Sequence, residues 1–157
     1  MNMRGFTLVE IIVAIAVMGI LMSIAMFNFN DYSRKANVES QTRKLYSDIM
    51  SLRGKGLYEK HEVALRLSTT KYSLYSSTSM IGPYQETVLK SEIEWNSPTV
   101  TDIIFDTQGL SNVDKSICVN TSNSATVDSI IIFATMVKLG KLKDGENCGQ
   151  TKIDAKQ

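Results

Sequence analysis

From Ile11 to Phe27 the chain carries no charge and no proline. With Phe6–Val9 in front, the apolar run covers residues 6–27. A helix over that stretch would reach about 33 Å at ~1.5 Å per residue, enough for one hydrocarbon core. A single carboxylate, Glu10, interrupts it. A charge inside hydrocarbon is costly, so a carboxylate kept there points to function and calls for a partner of opposite sign.

The residues before the run narrow the choice. A secretory signal has its cleavage site after the apolar region. Here a small residue, Gly5, precedes it, after a short leader whose one basic side chain is Arg4. Gly5-Phe6-Thr7-Leu8-Val9-Glu10 resembles the processing site of type IV prepilins and type II secretion pseudopilins. The resemblance implies that a prepilin peptidase cuts after Gly5 and methylates the new amine of Phe6. It implies that Glu10 meets the Phe6 amine of a neighbouring subunit, and that the apolar helix anchors the subunit in lipid before becoming filament core. Family behaviour places the remainder in the periplasm, with a single pass through the inner membrane. Implied partners are the peptidase, other pilin or pseudopilin subunits, the inner-membrane assembly platform and membrane lipid. Many members have proline where this chain has Phe27, so no kink is expected at that position; Gly19 is the remaining weak point.

Two plainer readings of the N-terminus compete. Ser23-Ile24-Ala25 is a passable small-x-small site, which would make the run a cleaved signal and leave a periplasmic binding domain. A plain single-span anchor is the other, and it leaves Gly-Phe followed by Glu10 unexplained. The expected organisation is a leader over 1–5, a transmembrane half-helix over 6–28, an amphipathic half-helix over 29–58 and a globular β domain over 59–157.

No proline or glycine follows the run until Gly54, so one helix can continue to about Leu52–Tyr58. Val38, Thr42, Leu45, Ile49 and Leu52 recur at spacings of four and three, which is one helix face. From His61 the period drops to two. Val63, Leu65 and Leu67 predict a strand that pairs as a hairpin with Lys71–Ser76. Residues 76–87 read as loop, Val88–Trp95 as a strand broken by Ser97-Pro98, and Thr101–Asp106 as a strand turned by Gln108-Gly109. Ser116–Asn120 is a short strand, Asn120–Ala125 a polar turn, and Asp128–Met136 the strongest strand, with three isoleucines buried on both sides. Val137–Lys141 continues or turns it; from Lys143 onward the chain reads as loop, pinned by Cys148. With about six strands after one helix and no βαβ alternation, the expected class is α+β: a long N-terminal helix packed on an antiparallel sheet. Residues 100–141 resemble the C-terminal domain of the H-type minor pseudopilin and of FimT/FimU-type minor pilins.

Cys118 and Cys148 stand in the part expected outside the cytoplasm, where a disulfide is the natural state. Two cysteines without a histidine cluster do not make a metal site, and Asp144-Gly145-Glu146-Asn147 lacks the alternating ligands of a calcium loop. His61, the one histidine, sits in a charged junction and reads as solvated rather than catalytic. No phosphate loop or nucleophile motif is present, so neither an enzyme nor a cofactor is expected. The net charge of +1 gives no global field for nucleic acid. The tail carries Lys138, Lys141, Lys143, Lys152 and Lys156 against Asp144, Glu146 and Asp154. Some FimT-type pilins bind DNA through such a surface. That makes a DNA-uptake pilin an alternative, although phosphate recognition needs several clustered cations and the tail has no arginine.

Overall fold

A computed structural model describes residues 6–97, 99–119 and 124–156, with side chains for all of these but 24–28. The chain forms two compact units, Met1–Arg34 and Lys35–Gln157. Helix α1, Leu8–Glu59, starts in the first and ends in the second. The helix is continuous through residue 27.

In the second unit the helix face read from the sequence is the buried one. Val38, Leu45, Ile49 and Leu52 are covered completely or nearly so. Each such burial is worth about 1.5–3 kcal/mol. Thr42 joins them because its hydroxyl donates back to the Val38 carbonyl at 2.9 Å, which removes the cost of burying it. Gly54 and Gly56 do not end the helix. Gly56 instead allows close approach: a Cβ there would stand 3.2 Å from both the Asp106 carbonyl oxygen and Val63 Cγ2.

Two antiparallel sheets follow, not one. The strands are β1 (Val63–Leu67), β2 (Lys71–Tyr75), β3 (Gln85–Val88), β4 (Ile93–Trp95), β5 (Asp102–Phe105), β6 (Lys115–Val119), β7 (Ser129–Ile132), β8 (Val137–Leu142) and β9 (Ile153–Lys156). Sheet A runs β3-β2-β1-β5 and sheet B runs β4-β6-β7-β8-β9. The β1–β2 hairpin forms as expected, with Leu65 opposite Leu74. The three isoleucines of β7 are buried on both faces. Ile130 and Ile132 enter the main core with the helix residues, while Ile131 enters a smaller core with Cys118 and Ile153.

Four expectations fail, each because a tertiary partner overrides local sequence. Gln85–Val88, read as the end of a loop and the start of a strand, is β3, held by pairing Ser73 with Glu86 and Leu74 with Gln85. The strand expected over Val88–Trp95 is split between the sheets. Gln41 secures the crossing, accepting the Lys90 and Ser91 amides at 2.8 and 2.9 Å and donating to the Ser91 carbonyl at 2.7 Å. Asp128–Met136 is not one strand: β7 stops at Ile132, and the Phe133 amide bonds the Met136 carbonyl to close a turn into β8. The segment after Lys143, read as loop, contains a 3-10 turn at Gln150–Lys152 and the edge strand β9. Ile153 on β9, Leu142 on β8 and Cys148 cover the outer face of Ile131. The break expected at Pro98 and residues 120–123 of the expected polar turn lie outside the described residues.

Candidate functional site

Gly5, the expected cleavage residue, lies outside the described residues. Phe6 is exposed, and α1 begins two residues later. Thr7 precedes the helix; its hydroxyl accepts the Glu10 amide at 3.3 Å, satisfying one of the free donors of the first turn. Glu10 stands in that first turn, where the positive end of the helix dipole favours a carboxylate. Among the described residues its carboxylate has no ion-pair partner.

Beyond Glu10 the surface is apolar on every side. Ile11, Ile12, Val13, Ile15, Val17, Met18, Ile20, Leu21 and Met22 are all at least half exposed. Consecutive positions cover all faces of a helix, so this is not an amphipathic stripe. A helix apolar all round is stable where lipid or other helices surround it. Among the described residues, no helix is long and apolar enough to cross a membrane. The apolar portion with described side chains, Leu8 to Met22, falls short of the ~20 residues such a helix needs; much of the rest of the expected span, 24–28, has no described side chains.

In the second unit the structure joins Cys118 to Cys148, closing a 30-residue separation. The bond fastens the C-terminal segment to β6 within the smaller core. Three of the five tail lysines form ion pairs. Lys141 reaches the buried Asp128 at 2.5 Å, Lys143 faces Asp154 at 3.5 Å, and Lys152 pairs with Glu146 at 2.9 Å. Lys138 is exposed. His61 is exposed too and lies 2.7 Å from Glu59, a surface pairing with no nucleophile beside it. No cluster of metal-ligating side chains occurs among the described residues.

Sequence reasoning missed the polar clamps that orient the second unit. Arg53 donates to the carbonyls of Gly109 and Thr135, both at 2.7 Å, tying the end of α1 to two turns. Asp48 accepts the Tyr72 hydroxyl at 2.5 Å and the Gln85 amide at 3.0 Å; burial, then this bond, pushes the Tyr72 pKa upward. Glu39 accepts the Thr126 amide at 2.6 Å, which holds its carboxyl below the usual range. The partner of each lies two dozen or more positions away, beyond the reach of local pattern. Lys115 was missed for the opposite reason: a strand lysine is expected outside, yet it is 1% exposed and donates to the Val100 carbonyl. Desolvation lowers its pKa.

Comparison with known proteins bears on both units. Residues 1–26 match the prokaryotic N-terminal methylation motif. The fold also has solved relatives at low sequence identity. The particular fold is shared with the type IV minor pilin FimU of Pseudomonas aeruginosa. One crystal form of that protein aligns at 12% identity over 70% of this chain and 92% of its own, with a TM-score of 0.57. A second aligns at 13% identity over 66% and 92%, with a TM-score of 0.53. No curated protein matches the sequence.

Proposed function

We propose that this chain is a minor pilin or pseudopilin, a non-enzymatic structural subunit of a type IV pilus or a type II secretion pseudopilus. The observation that carries the reading is the exposed, all-round apolar start of α1 with one carboxylate in its first turn, lying within the matched methylation motif. In this reading a prepilin peptidase cleaves after Gly5 and methylates Phe6. Cleavage creates an amine where the intact chain has an amide. Glu10, costly in an apolar setting when alone, pairs with that amine on a neighbouring subunit and sets the helix register. The helix packs first in the lipid of the inner membrane, around the assembly platform, and then among the helices of other subunits. The sheet unit faces the periplasm and carries the contacts particular to the system.

Intact-mass and N-terminal peptide analysis of membrane-purified protein is expected to find a chain starting at methylated Phe6. Glu10→Ala is expected to leave the protein in the membrane and to reduce its recovery in filaments at least tenfold. A mature chain starting at Met26, or wild-type incorporation of Glu10→Ala, would overturn the proposal.

A further inference from the structure

A groove of about 440 Å3 lies in the second unit between α1 and the β8–β9 corner of sheet B. Arg43 and Tyr46 of α1 line one side; Lys138 and Leu139 of β8 and Ala155 and Lys156 of β9 line the other. The volume falls in the range of about 300–1,000 Å3 typical of ligand sites. Strand register explains the lining. Leu139 stands opposite Lys156, so the two share a face, and Leu139 packs with the main core on the helix side. Thus β9 extends the helix-facing side of the sheet with a lysine where a core strand would carry an apolar residue. Lys138 pairs with Ile131, which belongs to the smaller core on the other side, so Lys138 supplies the rim.

The charge of the groove is only partly offset from within. Arg43 and Lys156 are exposed and have no ion pair among the described residues. Of the nearby carboxylates, Asp128 pairs with Lys141 and Asp154 with Lys143, while Glu39, held by the Thr126 amide, keeps its charge one helical turn from Arg43 and offsets part of it. A second feature adjoins. β9 ends the strand order of sheet B, so its outer edge has no strand partner among the described residues. Ala155 lines the groove although its side chain alternates away from Lys156, so the β9 main chain borders it.

We propose that this groove binds an extended acidic segment of a partner protein, which adds to the β9 edge through main-chain hydrogen bonds. Its carboxylates meet Arg43 and Lys156, and an apolar side chain lies over Tyr46 and Leu139. Strand addition supplies main-chain affinity, while charge complementarity selects the partner. A peptide fits better than nucleic acid because the cations are few and flank an apolar floor, whereas phosphate recognition relies on many clustered cations. The contact belongs to the sheet unit and does not depend on filament assembly.

The test uses the full chain in neutral detergent micelles and a fluorescein-labelled peptide of repeating Glu-Thr-Val-Thr, which puts Glu and Val on the same face of a strand, read by fluorescence anisotropy. Saturable binding is expected, at least tenfold weaker for the Gln-for-Glu peptide and for the peptide with alternate amides N-methylated. The exposed double variant Arg43→Ala/Lys156→Ala is expected to lose at least tenfold in affinity, and Lys60→Ala/Lys90→Ala, outside the groove, to lose none. Absence of binding, equal binding by the Arg43→Ala/Lys156→Ala variant, or equal binding of the N-methylated peptide would overturn the proposal. So would equally tight binding of a single-stranded oligodeoxynucleotide or of phosphatidylglycerol vesicles, either of which would make the groove a general anion patch.

Discussion

Breaking the Cys118–Cys148 link tests how the C-terminal segment is held. The bond closes a 30-residue separation. In the chain-entropy account, a loop of that size costs the unfolded state about 12 cal/mol/K, or about 3.6 kcal/mol at 25 °C. The account applies to global unfolding if β9 stays docked when the link is absent. Docking is expected because β9 has contacts besides the link: it pairs with β8 from Leu139–Lys156 to Leu142–Ile153, and Ile153 is buried in the smaller core. The assay is urea unfolding of fragment 30–157, which contains every buried residue among those described. It compares the parent with Cys118→Ala/Cys148→Ala. With an m-value of about 1.5 kcal/mol/M, the midpoint should fall by about 2 M. Hydrogen exchange should show the β9 amides still protected in native buffer. A midpoint shift under about 0.5 M would refute the loop-closure reasoning. Loss of β9 protection in the variant would show that the link, rather than the strand pairing, keeps the segment in place.

Three further outcomes are expected of the same fragment. Glu39, Glu86 and Asp102 have carboxyls held below their ordinary values of 4.5, 4.5 and 3.8, chiefly by bonds from the Thr126 amide, Lys71 and Arg66 respectively. On acidification the unfolded state therefore takes up these protons first. The stability they confer is complete above about pH 4.5 and is lost as pH falls through the depressed values; Glu39→Gln should shallow that decline in a series of urea midpoints. Lys115 has a folded pKa below 10.5, so its charged form is disfavoured by folding. Its contribution should improve as pH rises through the folded value towards 10.5, and the wild-type-minus-Lys115→Met difference in stability should show that rise. At Gly140 a Cβ would overlap Ile153 Cγ2 and stand 3.0 Å from the Asp154 carbonyl oxygen. Gly140→Ala should cost about 1–3 kcal/mol in thermal unfolding, with the earliest loss of amide protection at β9.

The parts of this protein that were legible in sequence are those specified by short-range pattern. The helix face Val38–Leu52 was readable because burial against a sheet repeats every three to four residues, and the β1–β2 hairpin because it repeats every two. Strand edges were not readable. Gln85–Val88 has no strong strand composition and exists because β2 offers it a partner. β9, with the sequence Ile-Asp-Ala-Lys, carries a single apolar anchor, so its strand state comes from β8 and from the smaller core. The long-range clamps of Gln41, Asp48 and Arg53 were unreadable for the same reason: a polar helix residue looks alike whether it meets water or a distant backbone.

By itself the sequence determined the apolar N-terminal run with Glu10 at its head, the single long helix and which of its faces is buried, the antiparallel β class, and the two cysteines available to pair. These depend on composition and period, which a chain carries before it folds. Tertiary structure alone decided that the strands divide into two sheets, that the tail closes a second small core over Ile131, that Lys141 and Lys143 are paired, and that Arg43 and Lys156 share one groove. Those outcomes depend on which distant segments meet, and a buried strand or an ion pair acquires its energy only from the partner that folding brings to it.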